Sequence, residues 1–364
     1  MTSNCLRTAL IGCGQIADAH LQELRRVPRA TVVAVCDLHI DLARQAATRF
    51  DVPRSFDDVS KMLAETRPDV VHITTPPHSH RALAMQCLSA GAHVYVEKPF
   101  TVDALEAAEV IAAAEGRGLR VCLGHDQLFD PAWQECAQRV AVGEAGRVVH
   151  VEALQAYDLA GPFGRQLQDD AAHWVHRLPG GLFQNVISHA LARILAFIPD
   201  QLPEVSAHCF TVGGSAFPTE LRVLLVGESC TGALTFSTRV RPLHRMTWVF
   251  GTRGALAVDL DARTVTVDRT AALPGALATV ETTWRRLTQA RRHVAANLAR
   301  MARGDLHYFE GMHTLFGRFY EAILTGGPMP VLHEDALRAT RVMDVVFQSC
   351  RRSAAGVAGN LKAV

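Results

Sequence analysis

The stretch His93–Phe100, HVYVEKPF, places Glu97, Lys98 and Pro99 directly after a β-favouring run. The chain has 34 arginines and only three lysines, so a lysine here is a choice of chemistry and not merely of charge. An ammonium group can donate to a substrate oxygen and lower the cost of ionising it. It can also relay a proton if desolvation depresses its pKa. Arginine stays protonated and cannot take the second role. In extended backbone Glu97 points away from Lys98, and it is expected to brace the loop or contact a cofactor. Pro99 restricts Lys98 to extended geometry and is a candidate for a preceding cis bond. The competing reading is a surface lysine at a strand end.

A second group lies near the N-terminus. LIGCGQIADAH carries Gly12, Gly14 and Ala17 in G-x-G-x-x-A spacing, with Gln15 and Ile16 between them. Gly12 permits a tight strand-to-helix turn, Gly14 lets backbone approach a pyrophosphate, and Ala17 lets helix and strand pack closely. The helix N-terminus then supplies amide donors to phosphates. Asp37 follows 20 residues after Ala17, where an acid binds the adenosine ribose hydroxyls and repels a 2′-phosphate. Leu38 and His39 offer no arginine for such a phosphate, so NAD is favoured over NADP. TTPPHSH places Thr75, Pro76, His78 and His80 at the end of another strand as a stiff lip for a cofactor. Read as a plain turn, Ser79 caps the following helix.

The elements that must hold these residues follow from periodicity. Through about Gly124 short apolar strands alternate with helical patterns, which predicts a parallel sheet covered on both faces, a Rossmann-type doubly wound domain. Asp103 is the expected cap of one of its helices. Lys98 and the TTPPHSH loop then end neighbouring strands at the crevice where ligands bind. Further on, strands follow one another through short connections rich in Gly, Thr and Pro, as in an α+β domain with a mostly antiparallel open sheet. Helical patterns flank it at 131–142, 181–197, 284–302, 311–325 and 334–352. The expected division is a nucleotide-binding domain over 1–126 and a substrate and oligomerisation domain over 127–364.

Together, the glycine motif, Asp37, TPPHSH, GAHVYVEKP and LGHDQLFDP resemble the Gfo/Idh/MocA oxidoreductases, the glucose–fructose oxidoreductase and inositol dehydrogenase family. The resemblance covers the first 130 residues closely and the remainder loosely. It implies an NAD(P)-binding Rossmann domain, an open antiparallel sheet that often forms oligomer contacts, and oxidation of a sugar or cyclitol hydroxyl or the reverse reduction. The family pattern G-G-x-x-x-D-x-x-x-H-x-x-D falls on Gly180 and Gly181, with His189 matching its histidine, Asn185 replacing the first acid and Ala192 the last. Asn185 and His189 are expected on one face of one helix. Asn185 can orient a ring or bond a hydroxyl but cannot take a proton, and His189 is a candidate general base beside Lys98. Asp126 stands near where relatives carry other polar residues and could face substrate, as could His125. Trp174, His176 and Arg177, with His173, could line a pocket; solvated loop positions are the alternative.

Composition restricts the classes. Formal net charge is +1, half the residues are apolar, and nine cysteines are scattered without metal-like spacing. These features disfavour nucleic acid and a metal centre, and point to reduced thiols and a cytoplasmic location. No apolar run approaches a membrane span. WRRLTQARRHVAANLARMARG has six arginines and no acid, with Trp284, Leu287, Val294, Leu298 and Met301 near one face and Arg285, Arg292, Arg300 and Arg303 largely away from it. It reads first as a helix packed on its domain with a solvated face, and otherwise as a phosphate or acidic-partner site or a peripheral membrane contact over 284–303. The leading expectation is an NAD-dependent oxidoreductase acting on a sugar, cyclitol or sugar derivative. A redox-assisted glycoside elimination or hydrolysis with recycling NAD, and a non-catalytic NAD- or sugar-binding protein, remain as alternatives.

Overall fold

The structure, a computed structural model, describes residues 5–212, 215, 217–304 and 309–360, with side chains as far as Arg352. Two compact units divide the chain. One reaches to Phe129 and takes up Gly311–Arg341 as well; the other runs from Asp130 to Glu310 and resumes at Val342. The break between the units falls after Phe129, and the first unit has a return segment that local periodicity does not announce.

The first unit alternates strand and helix: β1 (Leu6–Ile11), α1 (Ala17–Leu24), β2 (Ala30–Cys36), α2 (Ile40–Phe50), β3 (Ser55–Phe56), α3 (Val59–Thr66), β4 (Val70–Ile73), α4 (His80–Ser89), β5 (His93–Val96), α5 (Ala104–Glu115) and β6 (Val121–Leu123). The strands form one parallel sheet in the order β3-β2-β1-β4-β5-β6. This is the doubly wound arrangement, with its topological switch between β1 and β4. Strands covered on both faces are largely apolar, and all four residues of β4 and the last four of β1 are buried, with Thr8 and His72 as their polar members. The Asp103 carboxylate accepts the Glu106 amide at the start of α5, as expected of a cap. Ser79 does not cap α4; its hydroxyl donates to the Pro76 carbonyl and pairs with Thr75 Oγ1.

The second unit contains α6 (Pro131–Ala141), β7 (Val148–Ala156), α7 (Pro162–Asp169), α8 (Gly181–Val186), α9 (Ser188–Leu195), β8 (Glu204–Phe210), β9 (Glu220–Val226), β10 (Thr231–Ser237), β11 (Arg245–Gly251), β12 (Gly254–Asp259), β13 (Thr264–Arg269) and α10 (Ala276–Arg303). Its seven-stranded sheet runs β13-β12-β11-β7-β10-β9-β8, antiparallel except where β10 meets β7. Helix α9 covers β7, β10 and β11. Along β9, buried Leu221, Val223 and Leu225 alternate with Arg222, Leu224 and Val226, as a sheet with one packed face requires. Two more helices complete the chain: α11 (Glu310–Thr325), whose body belongs to the first unit, and α12 (His333–Asn360), which begins there and continues into the second.

Candidate active site

The glycine turn sits where β1 gives way to α1. Gly12 has φ +98°, and a Cβ there would lie 2.8 Å from Thr75 Cγ2 and 2.9 Å from the Thr74 carbonyl carbon. Backbone of β1 and β4 therefore touches at this point, which only glycine permits. A Cβ on Gly14 would meet nothing within 4 Å, so the space beside the start of α1 is open. Ile16, the residue before α1, provides no side-chain cap. Ala17 is fully buried.

Asp37 closes this turn from the next strand. Its Oδ2 accepts the Cys13 amide at 2.7 Å and its Oδ1 accepts the His39 amide at 2.9 Å. The carboxylate thus organises the glycine loop and still has lone pairs for hydroxyl donors. Leu38 beside it is exposed.

The lip after β4 is tied down from both sides. Thr74 Oγ1 donates toward the Ile11 and Gly12 carbonyls at 3.0 and 2.6 Å. His80 differs from the expected cofactor contact: it is buried, with Nε2 2.7 Å from the Thr75 carbonyl and Nδ1 3.1 Å from the Pro99 and Phe100 carbonyls. Burial lowers its pKa, although the carbonyls pull it upward. A neutral ring donates at one nitrogen only, so His80 lies between the two loops and bonds either the Thr75 carbonyl or the Pro99 and Phe100 carbonyls at a time. Thr75 and Pro76 are half-buried, and His78 is exposed.

Lys98 follows β5 by two residues, is half-buried, and is joined to Pro99 by a cis bond as anticipated. Glu97 is the expected brace. It is buried, its Oε2 accepts the Lys98 amide at 3.0 Å, and its Oε1 accepts from His20 Nε2 at 2.9 Å. Burial alone would raise its pKa; the His20 hydrogen bond and charge, followed by Lys98, outweigh it, and the carboxyl lies below its ordinary value. His125 is buried in the same neighbourhood. Desolvation holds it down at about 4, with Glu97 raising and Lys98 lowering it, so it is neutral at physiological pH. Asp126 is half-buried and opens the short turn that follows.

Behind Glu97 runs a buried chain that motif reading does not identify. His20 Nδ1 lies 3.2 Å from His72 Nδ1, His72 Nε2 lies 3.2 Å from the Tyr320 hydroxyl, and that hydroxyl lies 2.7 Å from Thr8 Oγ1. Desolvation, then His20, keeps His72 well below its usual pKa. A neutral His72 donates at one nitrogen and accepts at the other, so the whole chain can be satisfied in one direction at a time. Tyr95 stacks on His72 at 4.7 Å. One signal was available: a histidine inside the otherwise apolar run VVHI has to find a buried partner.

In the second unit, the expected single helix over 181–197 is two, α8 and α9, divided at Ile187. Across residues 182–195 only Asn185 and His189 are partly exposed; every other position is buried. Polar side chains four apart are thus the accessible points of a buried stretch. The Gln184 amide oxygen accepts the Gly180 N–H and fixes the approach to α8. Trp174, His176 and Arg177 lie in one short turn, with His176 and Arg177 exposed. His176 Nε2 donates to the Leu167 carbonyl at 2.9 Å. Trp174 belongs to a half-exposed aromatic group with Phe163, His173 and Tyr157, whose neighbouring rings stand 5.3–6.4 Å apart. Tyr157 and Phe163, and the fully buried Arg193 bonded to Thr247 Oγ1, lie outside any motif considered above.

The glycine turn at the β1/β4 switch point, the acid after β2 and the braced lysine after β5 all lie at the carboxyl ends of one parallel sheet, where nucleotides bind in this fold. Residues 6–125 match the model of the oxidoreductase family with the NAD-binding Rossmann fold, GFO_IDH_MocA. An uncharacterized oxidoreductase of Rhizobium meliloti, ORF334, is 25% identical over 95% of this chain and 97% of its own length. UDP-N-acetylglucosamine 3-dehydrogenase of Acidithiobacillus ferrooxidans is 35% identical, over 36% of this chain and 41% of its own. Likeness to that enzyme and to D-apiose dehydrogenase of Paraburkholderia graminis (37% of its length) is confined to well under half of those chains. The fold of the WlbA dehydrogenase from Bordetella pertussis, solved with NADH and UDP-GlcNAcA, superposes with a TM-score of 0.78 over 97% of both chains at 19% identity. Among the described residues no helix is long and apolar enough to cross a membrane.

Proposed function

We propose that this chain transfers a hydride between NAD and a CH–OH or carbonyl carbon of a sugar, cyclitol or nucleotide-sugar derivative. Lys98 carries the reading. It stands just past the carboxyl end of β5, next to the switch-point strand β4, and its backbone is held by a buried carboxylate that belongs to a chain of further buried groups. Gly12, Gly14, Gln15, Ile16 and Ala17 would hold the dinucleotide phosphates at the start of α1, Asp37 the adenosine ribose, and Thr75, Pro76 and His78 the far side. Bound NAD supplies the hydride acceptor or donor. Lys98 donates a hydrogen bond to the reacting oxygen and stabilises its charge. Its proton is moved by Lys98 itself or by His189, with Asn185 to orient the imidazole or to bond a neighbouring hydroxyl. Asp126, Trp174, His176 and Arg177 are the further substrate contacts of this reading. The half-exposed aromatic group around Trp174 suits the apolar face of a sugar ring, and the named enzymes among the relatives support the sugar class.

The test is NADH formation or consumption with a panel of free sugars, cyclitols, glycosides and nucleotide sugars. One class is expected to turn over, and His189→Ala should lower kcat by about 10²-fold. Dinucleotide binding without turnover of any class would reject the reading. Asp37→Ala addresses the cofactor half. Losing charge-assisted bonds to ribose should weaken NADH about tenfold or more and narrow the preference over NADPH, both measured by fluorescence titration. Equal weakening for both cofactors would assign Asp37 to loop structure alone. Self-association through the open face of the sheet, which exposes Leu224 and Val226, belongs to the same proposal.

A further inference from the structure

Helix α10 is attached the wrong way round for an amphipathic surface helix. It is 28 residues long and none of them is buried. The side facing its own unit is polar and is bonded along the edge strand β13. Gln289 donates to the Val267 carbonyl and accepts the Val267 amide, His293 donates to the Val265 carbonyl, Asn297 to the Ala262 carbonyl, and Arg286 pairs with Asp268. The apolar residues lie on the opposite side. Leu277, Val280, Trp284, Leu287, Val294, Leu298 and Met301 are 42–64% exposed. The expectation that this stripe packs on its own domain is overturned, because hydrogen bonds to an edge strand have taken that side of the helix.

We propose that this stripe is a self-association surface, covered by α10 of a second copy in antiparallel orientation. The spacing is the first reason. With Arg291 included, the eight positions 277, 280, 284, 287, 291, 294, 298 and 301 alternate steps of three and four without a break. That is the 3.5-residue seam of one helix packed on another; a flat surface needs no such register. Size is the second. At the observed exposures the stripe presents roughly 800 Å² per copy, more than the ~300–600 Å² of a typical monomer's largest patch. Two copies would cover about the ~1,600 Å² of a standard stable interface. The third is self-complementarity. In an antiparallel pair centred at 289, Leu277 meets Met301, Val280 meets Leu298, Trp284 meets Val294 and Leu287 meets Arg291. A parallel pair would stack Arg291 on Arg291. In the antiparallel pair its aliphatic stem lies along Leu287 and its head reaches water. Small residues flank the seam, among them Thr283, Thr288, Ala290, Ala295 and Ala302, and they allow close approach. A membrane surface fits less well, because Arg291 interrupts the apolar face and Arg285 and Arg286 are paired with Glu281 and Asp268.

Sedimentation of the full chain tests this. Leu287→Glu with Val294→Glu alters two exposed positions, so circular dichroism should not change. The expected result is a halved mass, whether the wild type is a dimer or, with the sheet face also engaged, a tetramer. Arg291→Leu is the opposite variant and should tighten the same association by about tenfold or more, since a polar residue in a seam costs stability. For orientation, Val280→Cys alone should not cross-link through that cysteine, whereas Val280→Cys with Leu298→Cys should give a covalent dimer. A wild type that stays monomeric at tens of micromolar, or a mass that the double glutamate variant leaves unchanged, overturns the proposal. Wild-type binding to anionic phosphatidylserine vesicles that the glutamate variant abolishes, with mass unchanged, overturns it in favour of a lipid surface.

Discussion

Lys98→Ala is expected to lower kcat by about 10³-fold while NADH affinity stays within about twofold of wild type. The size is that of a positioned proton donor whose ammonium also stabilises developing charge on the reacting oxygen. The selectivity comes from how the lysine is held. Glu97 accepts the backbone amide of Lys98, so that bond survives removal of the side chain. The His80 bond to a carbonyl of the Thr75 or Pro99 loop does not involve the Lys98 side chain either. Lys98→Arg keeps a cation at the strand end and should still lose most of the rate, because guanidinium does not give up a proton and is planar and larger. Steady-state kinetics beside a fluorescence titration separate the two effects. If the alanine variant keeps more than about a tenth of the rate, Lys98 is not the proton-handling group.

Glu97→Ala is expected to cost about 3 kcal/mol or more of stability in the first unit, and Glu97→Gln roughly half of that. Alanine removes the acceptor for both His20 Nε2 and the Lys98 amide in a buried site. Glutamine keeps the shape and one acceptor oxygen and removes the charge. The pH dependence distinguishes charge from shape. The Glu97 carboxyl is depressed in the folded state. Its ionised contribution is therefore complete above the unfolded carboxyl pKa, about 4.3, and disappears as pH falls through the lower folded value. Urea melts of wild type and Glu97→Gln should differ most at neutral pH and converge below about 4.3. A gap that stays constant into that range would mean that packing, not the carboxylate charge, sets the cost.

Much of the site half in the first unit could be read from residue order. The glycine spacing, Asp37, the TTPPHSH lip and EKP are local patterns, and each ends a strand whose position follows from the doubly wound order. His80 was misread because a histidine at the end of a strand looks the same whether its ring faces a crevice or the carbonyls of the next loop. His20, His72 and Tyr320 escaped because their partnership joins residues up to 312 positions apart, as Thr8 and Tyr320 show. The interruption at Ile187 is a local bend with no proline or glycine to announce it. The stripe on α10 was legible as a stripe. Its direction was not, since periodicity tells which side of a helix is apolar and says nothing about which side its own sheet holds.

The return of residues 311–341 has a consequence for how the protein comes off the ribosome. The rings of Phe316 and Phe319 cover Tyr95 at 4.9 and 6.2 Å, and Phe316 also lies 4.7 Å from His72. At ~5–20 residues per second, the about 180 residues between Phe129 and Gly311 delay this cover by roughly 10–40 s. Throughout that interval the nascent nucleotide-binding sheet has all six of its strands and lacks the aromatic lid over one part of its face. Until then the sheet is incomplete, and Tyr95 and His72 lack that aromatic cover. A gene fragment ending at Phe129 would remain in that state permanently, so dissecting the protein at its apparent first boundary should yield aggregate, whereas grafting 311–341 back should restore a soluble domain.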